Sequence, residues 1–253
     1  MIFTKKDAAI LDKLAFDVPP VGVKFLAKRP SKVSRLSGSM ALCEMLKRAQ
    51  EGNAFYADKE NHACDAGLYV LGQADAPEPY VSGEFGAGLK IFEEPRSASR
   101  LYQYMPRISK GVVNYVAFSR LNKLPFDPDV LIILAKTGQT EILLRAMSYR
   151  TGKPWLSKYS PAIGCAWIYV YPYLTGELNY TITGLGHGMR RRKLFPEGQQ
   201  LVSIPFDILP SILQALKNMP WVLPAFEPDG DQFVKGVLDK LGLPQAPVTS
   251  RRS

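Results

Sequence analysis

The run Val130-Leu-Ile-Ile-Leu-Ala135, followed by Thr140-Glu-Ile-Leu-Leu-Arg-Ala-Met-Ser-Tyr-Arg150 and then Gly152, decides the fold class. The first segment is wholly apolar and has strand length, so it reads as a strand buried on both faces. The second repeats apolar residues at helical spacing, with Ile142, Leu143, Ala146 and Met147 on one face. Gly152 stands where a glycine often closes a helix. A doubly covered strand leading into an amphipathic helix is the signature of alternating strand and helix layers.

Upstream the same order appears. Thr4–Leu14 reads as a short helix with Thr4 as its cap, and Pro19-Pro20 ends that region. Val21–Ala27 reads as a strand. Met40–Gln50 reads as a helix, with Leu42, Met45, Leu46 and Ala49 on one face and Gly52 beyond its end. Downstream of residue 110, Val112–Phe118 and Leu178–Ile182 are further strands, and Phe206–Asn218 and Phe233–Leu241 are further helices. Pro210 is tolerable only in the first turn of its helix.

Residues recur at an offset of 100: Gly52 with Gly152, Ala66 with Ala166, Tyr69-Val70 with Tyr169-Val170, Tyr80 with Tyr180, Gly86 with Gly186, Gly88 with Gly188. The expected architecture is an α/β (or α+β) fold of two similar halves from an internal duplication, a mixed sheet flanked by helices. Residues 1–110 form the first half with the N-terminal helix, 111–243 the second with the C-terminal helices, and 244–253 a flexible tail. Sites tend to form where such halves meet.

Composition narrows the function classes. The chain has 253 residues, 46% hydrophobic and 22% charged, and three cysteines, which excludes a disordered chain, a fibre and a disulfide scaffold. No apolar run approaches the ~18 residues that a membrane span needs, and the N-terminus lacks signal-peptide character. A cytoplasmic protein with reduced thiols and no membrane partner is expected. The net charge is +9, but Arg190, Arg191, Arg192 and Lys193, with Arg251 and Arg252 in the tail, carry most of the excess. Nucleic acid needs a broad basic face and is not an expected partner. A homo-oligomer is compatible with this composition.

Three constellations could carry chemistry. Cys43 lies in the first helix, Cys64 in Asn61-His-Ala-Cys-Asp-Ala-Gly67, and Cys165 in Pro161-Ala-Ile-Gly-Cys-Ala-Trp167. Cys64 and Cys165 stand one residue off the repeat offset, each before an apolar segment. With Cys43 they could bring three thiolates together for a soft metal or an iron–sulfur cluster, with His62 a possible fourth ligand. Free cysteine also behaves as a small buried hydrophobe, and that reading stays open. The second is Thr183-Gly-Leu-Gly-His-Gly-Met-Arg-Arg-Arg-Lys193. Gly186, Gly188 and Arg190 could hold a small anionic ligand, or the segment could be a solvated turn with His187 a bystander. The third is an aromatic set including Tyr69, Tyr80, Trp155, Tyr159, Trp167, Tyr169, Tyr171, Tyr173 and Tyr180, which could line a pocket or pack a core. There is no Walker A loop, nucleophile elbow, HExxH or EF-hand.

Pro20-Val-Gly-Val-Lys-Phe25, Leu42-Cys-Glu44, Cys64-Asp-Ala-Gly67 with Leu71-Gly72, Pro128-Asp-Val130, Gly164-Cys165 and Gly186-x-Gly-x-Arg190 occur in that order. Together they resemble domain-of-unknown-function family 169, found in bacteria and archaea, over roughly residues 15–220. The resemblance implies that cysteines recur near positions 43, 64 and 165, which favours a thiolate site with a redox or cofactor-related role. The alternative is a small anionic-ligand binding protein or transferase using the glycine–arginine loop. Arg190 matches the family arginine; Arg191, Arg192 and Lys193 are outside the pattern.

Overall fold

The computed structural model describes residues 5–183 and 186–244. Thr4, Gly184, Leu185 and residues 245–253, including Arg251 and Arg252, lie outside the described residues. Along the chain run α1 (Lys5–Asp12), β1 (Val21–Leu26), β2 (Ser34–Arg35), α2 (Leu42–Glu51), β3 (Phe55–Asp58) and α3 (Asp65–Val70). There follow α4 (Glu78–Val81), α5 (Glu84–Gly88), α6 (Pro95–Tyr104), β4 (Tyr115–Arg120), β5 (Val130–Lys136) and α7 (Thr137–Ser148). A π-helical segment, Ala166–Val170, runs into α8 (Tyr171–Thr175), then β6 (Asn179–Ile182), α9 (His187–Arg191), β7 (Gln199–Pro205), α10 (Leu209–Asn218) and α11 (Gly230–Leu241).

The strands form one seven-stranded mixed sheet in the order β2-β3-β4-β1-β5-β7-β6. Only the β2–β3 pair is parallel among these strands. β5 lies in the interior of the sheet, and Val130 through Ala135 are all buried. Because side chains alternate across a strand, β5 feeds two cores. Val130, Ile132 and Leu134 join Val21, Val23, Phe118 and Leu201 on the face covered by α2, α3 and the π-helical segment. Leu131, Ile133 and Ala135 join Val202 and Ile204 on the face covered by α1, α7 and α10. The protein is therefore a mixed α/β structure with helices on both faces of the sheet.

Read outward from the β1–β5 pair, the sheet has an antiparallel triplet on each side, β1-β4-β3 and β5-β7-β6. The residue identities at an offset of 100 do not follow that arrangement. Tyr80 lies in α4 and Tyr180 in β6. Gly52 has extended backbone, whereas Gly152 has a φ of +63°. β4, beyond residue 110, sits between β1 and β3.

Tyr169, Tyr171 and Tyr173 are helical, since the segment from Ala166 winds as π- and then α-helix. Strands β3 and β7 and the cluster α4–α6 went unread in the sequence. β7, Gln-Gln-Leu-Val-Ser-Ile-Pro, opens polar and closes on Pro205, so its periodicity is weak.

Asp129 locks the centre of the sheet. The β1–β5 ladder ends at the Val23–Val130 pair. Beyond it, the Asp129 N–H donates to the Val23 carbonyl (2.8 Å), and its carboxylate accepts the Phe25 N–H (2.7 Å). Burial raises the Asp129 pKa from its ordinary value, against the pull of the Phe25 N–H and Lys24. A carboxyl whose folded pKa is raised favours the protonated folded state, so its contribution to stability falls as pH rises through that value. Asp129→Asn keeps an acceptor for Phe25 without the charge. It is expected to raise the urea midpoint over wild type at neutral pH, and the advantage should vanish as pH drops below the carboxylate range.

Candidate functional site

The three cysteines face one cavity. Its volume is about 200 Å³, and it lies between the covered sheet face and the α4–α6 cluster. Cys43 enters from the first turn of α2, where the Glu44 carboxylate caps the helix by accepting the Ala41 N–H at 2.7 Å. Cys64 precedes α3, and its carbonyl accepts the N–H groups of Gly67 and Leu68 at 3.0 and 3.2 Å. Cys165 precedes the π-helical segment, just after Ile163, whose φ of +54° is a strained value for a β-branched residue. The Tyr169 hydroxyl donates to the Leu42 carbonyl at 3.1 Å and so ties the π-helical segment to the start of α2.

The cysteines share a cavity without forming a metal-holding group: among the described residues, no three His, Cys, Asp or Glu side chains do so. All three are free thiols that are partly, not fully, buried. Desolvation pushes Cys43 up to about 11 and raises Cys165 well above the ordinary thiol value. Both are therefore neutral at pH 7 in this conformation. His62 is not on the cavity wall. It is buried, its ring nitrogens have no partner among the described residues, and Nδ1 lies 3.5 Å from where a Cβ on Gly67 would stand. Burial drives its pKa down to about 4, so it is a neutral imidazole at pH 7.

The glycine–arginine segment forms the adjoining wall. Gly186, His187, Gly188, Arg191 and Arg192 line the cavity. Arg190 does not; it pairs with Glu197 at 3.1 Å, both side chains being exposed. Arg192 is held in place, with Nε 3.6 Å from Glu44 and Nη1 donating to the Gly188 carbonyl at 3.2 Å. Glu44 thus joins α2 to this segment. Arg191 has no ion-pair or hydrogen-bond partner among the described residues and is exposed at the mouth.

Two glycines make a slot. A Cβ on Gly186 would stand 2.3 Å from the Tyr159 hydroxyl and 2.6 Å from Met189 Cε; one on Gly164 would stand 2.9 Å from the same hydroxyl. That hydroxyl is buried and unpartnered. Tyr80, Phe85, Phe92 and Tyr102 of the α4–α6 region also line the cavity. Of the aromatic set, Tyr80 and Tyr169 line it, Trp167 and Tyr171 are buried, and Trp155 is exposed. The cap residues other than Tyr80, and the roles of Arg191 and Arg192, were missed in the sequence. The closely spaced Gly83, Gly86 and Gly88 are a local signal for the α4–α6 cluster.

A family model described as DUF169, Uncharacterised ArCR, COG2043, matches residues 9–215. The chain belongs to this family. The matched region of DUF169 holds all three cysteines, Glu44, Gly164, Gly186 and Arg192, and hence the whole cavity wall, while α11 lies beyond it. No curated protein and no solved structure matches the chain. No helix among the described residues is long and apolar enough to cross a membrane.

Gly186→Ala is expected to lower stability by about 1–3 kcal/mol through overpacking against Tyr159, read as a lower urea midpoint. Tyr159→Phe alone should raise the midpoint, since it removes a buried hydroxyl without a partner. Combined with Gly186→Ala, it should recover part of the loss, because the ring carbon bearing the hydroxyl lies 3.6 Å from the added Cβ while Met189 Cε, at 2.6 Å, must still move.

Proposed function

We propose that this protein binds a small molecule with an apolar body and an anionic group, the body in the thiol-lined cavity and the anion on Arg191. One observation carries the reading: a mostly apolar cavity whose mouth bears a guanidinium without a counter-charge among the described residues. Ligand sites are typically apolar concavities with a few placed polar groups. A guanidinium is suited to carboxylate, sulfonate or phosphate by paired donors. Arg192, already engaged by Glu44, sets the geometry of the segment.

The probe for this reading is anilinonaphthalene sulfonate, an aromatic body with one anionic group. Saturable binding to one site is expected, with Arg191→Gln weakening it by about tenfold or more, the worth of a charge-assisted contact. Arg190→Gln, which breaks only the Glu197 pair, should leave it unchanged. Loss of the Arg191 dependence would overturn the reading.

The convergence of Cys43, Cys64 and Cys165 on one cavity favours a second reading, a thiolate-bound metal or iron–sulfur cluster with a redox or cofactor-related role. The three thiols would be the ligands, and binding would have to draw α2, α3 and the π-helical segment inward and release the thiol protons. Protein purified without air would then carry stoichiometric iron and a broad absorption near ~400 nm, lost on Cys→Ser change at any of the three. Protein that stays colourless and metal-free after anaerobic reconstitution leaves the thiols as cavity lining.

A further inference from the structure

The cavity is walled on one side by α4, α5 and α6, which pack chiefly against one another. Two glycines make this cluster a unit. A Cβ on Gly83 would stand 1.9 Å from the Pro95 carbonyl oxygen, and one on Gly86 would stand 2.9 Å from Ala98 Cβ. The unit holds little core of its own: from Ala74 to Tyr104 only Gly83 and Ala98 are buried. Its hold on the body is equally slight. Ala76, Leu101 and Tyr102 pack on the main core as partly buried residues, and the Tyr102 ring tilts against Tyr69 at 5.7 Å.

The chain enters and leaves this unit through one neck. Gly72 and Gly111 both have positive φ, +69° and +81°, and the Gly111 N–H donates to the Gly72 carbonyl at 3.3 Å. A Cβ on Gly72 would stand 2.5 Å from the Ile108 carbonyl oxygen, so the two chain crossings run in close contact. Lys110 and Asp75 join across the neck at 2.7 Å, both exposed, a pair of small energetic weight.

We propose that α4–α6 is a lid that swings as one body beyond the Gly72–Gly111 neck, bending where α6 ends at Met105, and governs access to the thiol wall. A segment with few buried contacts and a narrow attachment opens at lower free energy than the sheet it covers. Opening needs the loss of the Ala76, Leu101 and Tyr102 contacts, leaves Met105 and Ile108 seated in the main core, and changes no strand. Closure places Tyr80, Phe85 and Phe92 over the ligand body, and Arg191, on α9, keeps its place at the mouth. What the lid admits rests on the anionic-ligand reading; that it opens does not.

Hydrogen exchange on the full chain, read by mass spectrometry, tests this. Amides of residues 78–104 should exchange together and faster than those of β1, β5 and β7. Tyr102→Ala should speed the 78–104 block by about tenfold or more while leaving the β5 amides unchanged. In the same variant, alkylation of Cys165 by a bulky maleimide should quicken in parallel. Anilinonaphthalene sulfonate should slow the block. If residues 78–104 exchange no faster than the sheet, or if Tyr102→Ala speeds every region alike, the lid is overturned, even with the probe bound at Arg191. If the block opens as described but the probe does not bind, the lid stands and the ligand reading fails.

Discussion

Burial of β5 on both faces is the constraint on which the rest of the structure depends. Six successive apolar residues cannot be shielded by one layer, because alternate side chains leave the strand in opposite directions. One set calls for α7 and α10; the other calls for α2, α3 and the π-helical segment. The candidate site follows from that second requirement. The elements that cover Ile132 and Leu134 are the ones that bring Cys43, Cys64 and Cys165 to a common wall.

The parts of the fold that were legible in the sequence are those with strong periodicity: β1, β5, α2, α7 and α10 all carry apolar patterns that survive without context. β3 is four residues long and β7 opens with two glutamines, so neither declares itself. The π-helical segment, Ala-Trp-Ile-Tyr-Val, is rich in aromatic and β-branched residues and favours a strand on propensity. Tertiary bonds override that preference: Asn179 donates to the Trp167 carbonyl at 2.9 Å, and the Trp167 ring N–H donates to Ser160 at 2.6 Å.

The site was legible as two separate clues and not as one place. The cysteines and the glycine–arginine segment lie far apart in sequence, and nothing local says that they share a cavity. Within the segment, the sequence pattern pointed to Arg190, but the short helix α9 turns that side chain out to Glu197 and leaves its two neighbours at the cavity. Glu44 carries the link that spacing could not reveal, since one carboxylate caps α2 and also holds Arg192. Desolvation disfavours the charged forms of Cys43 and Cys165, so in this conformation a shared cavity holds neutral thiols and not thiolates.

The neck between Gly72 and Gly111 has a consequence for how such a chain can change over generations. The two ends of the intervening segment are one hydrogen bond apart, so its outer part, residues 77–100, can vary in length and composition without shifting the register of β3, β4 or any strand beyond them, while Met105 and Ile108 stay fixed in the core. The cap is in this sense an interchangeable module plugged into a fixed socket. Substitution within it alters the aromatic half of the cavity and spares the thiols, Glu44 and the arginines. Divergence among relatives can therefore concentrate in residues 77–100, outside the core-seated Met105 and Ile108, while the sheet stays the same.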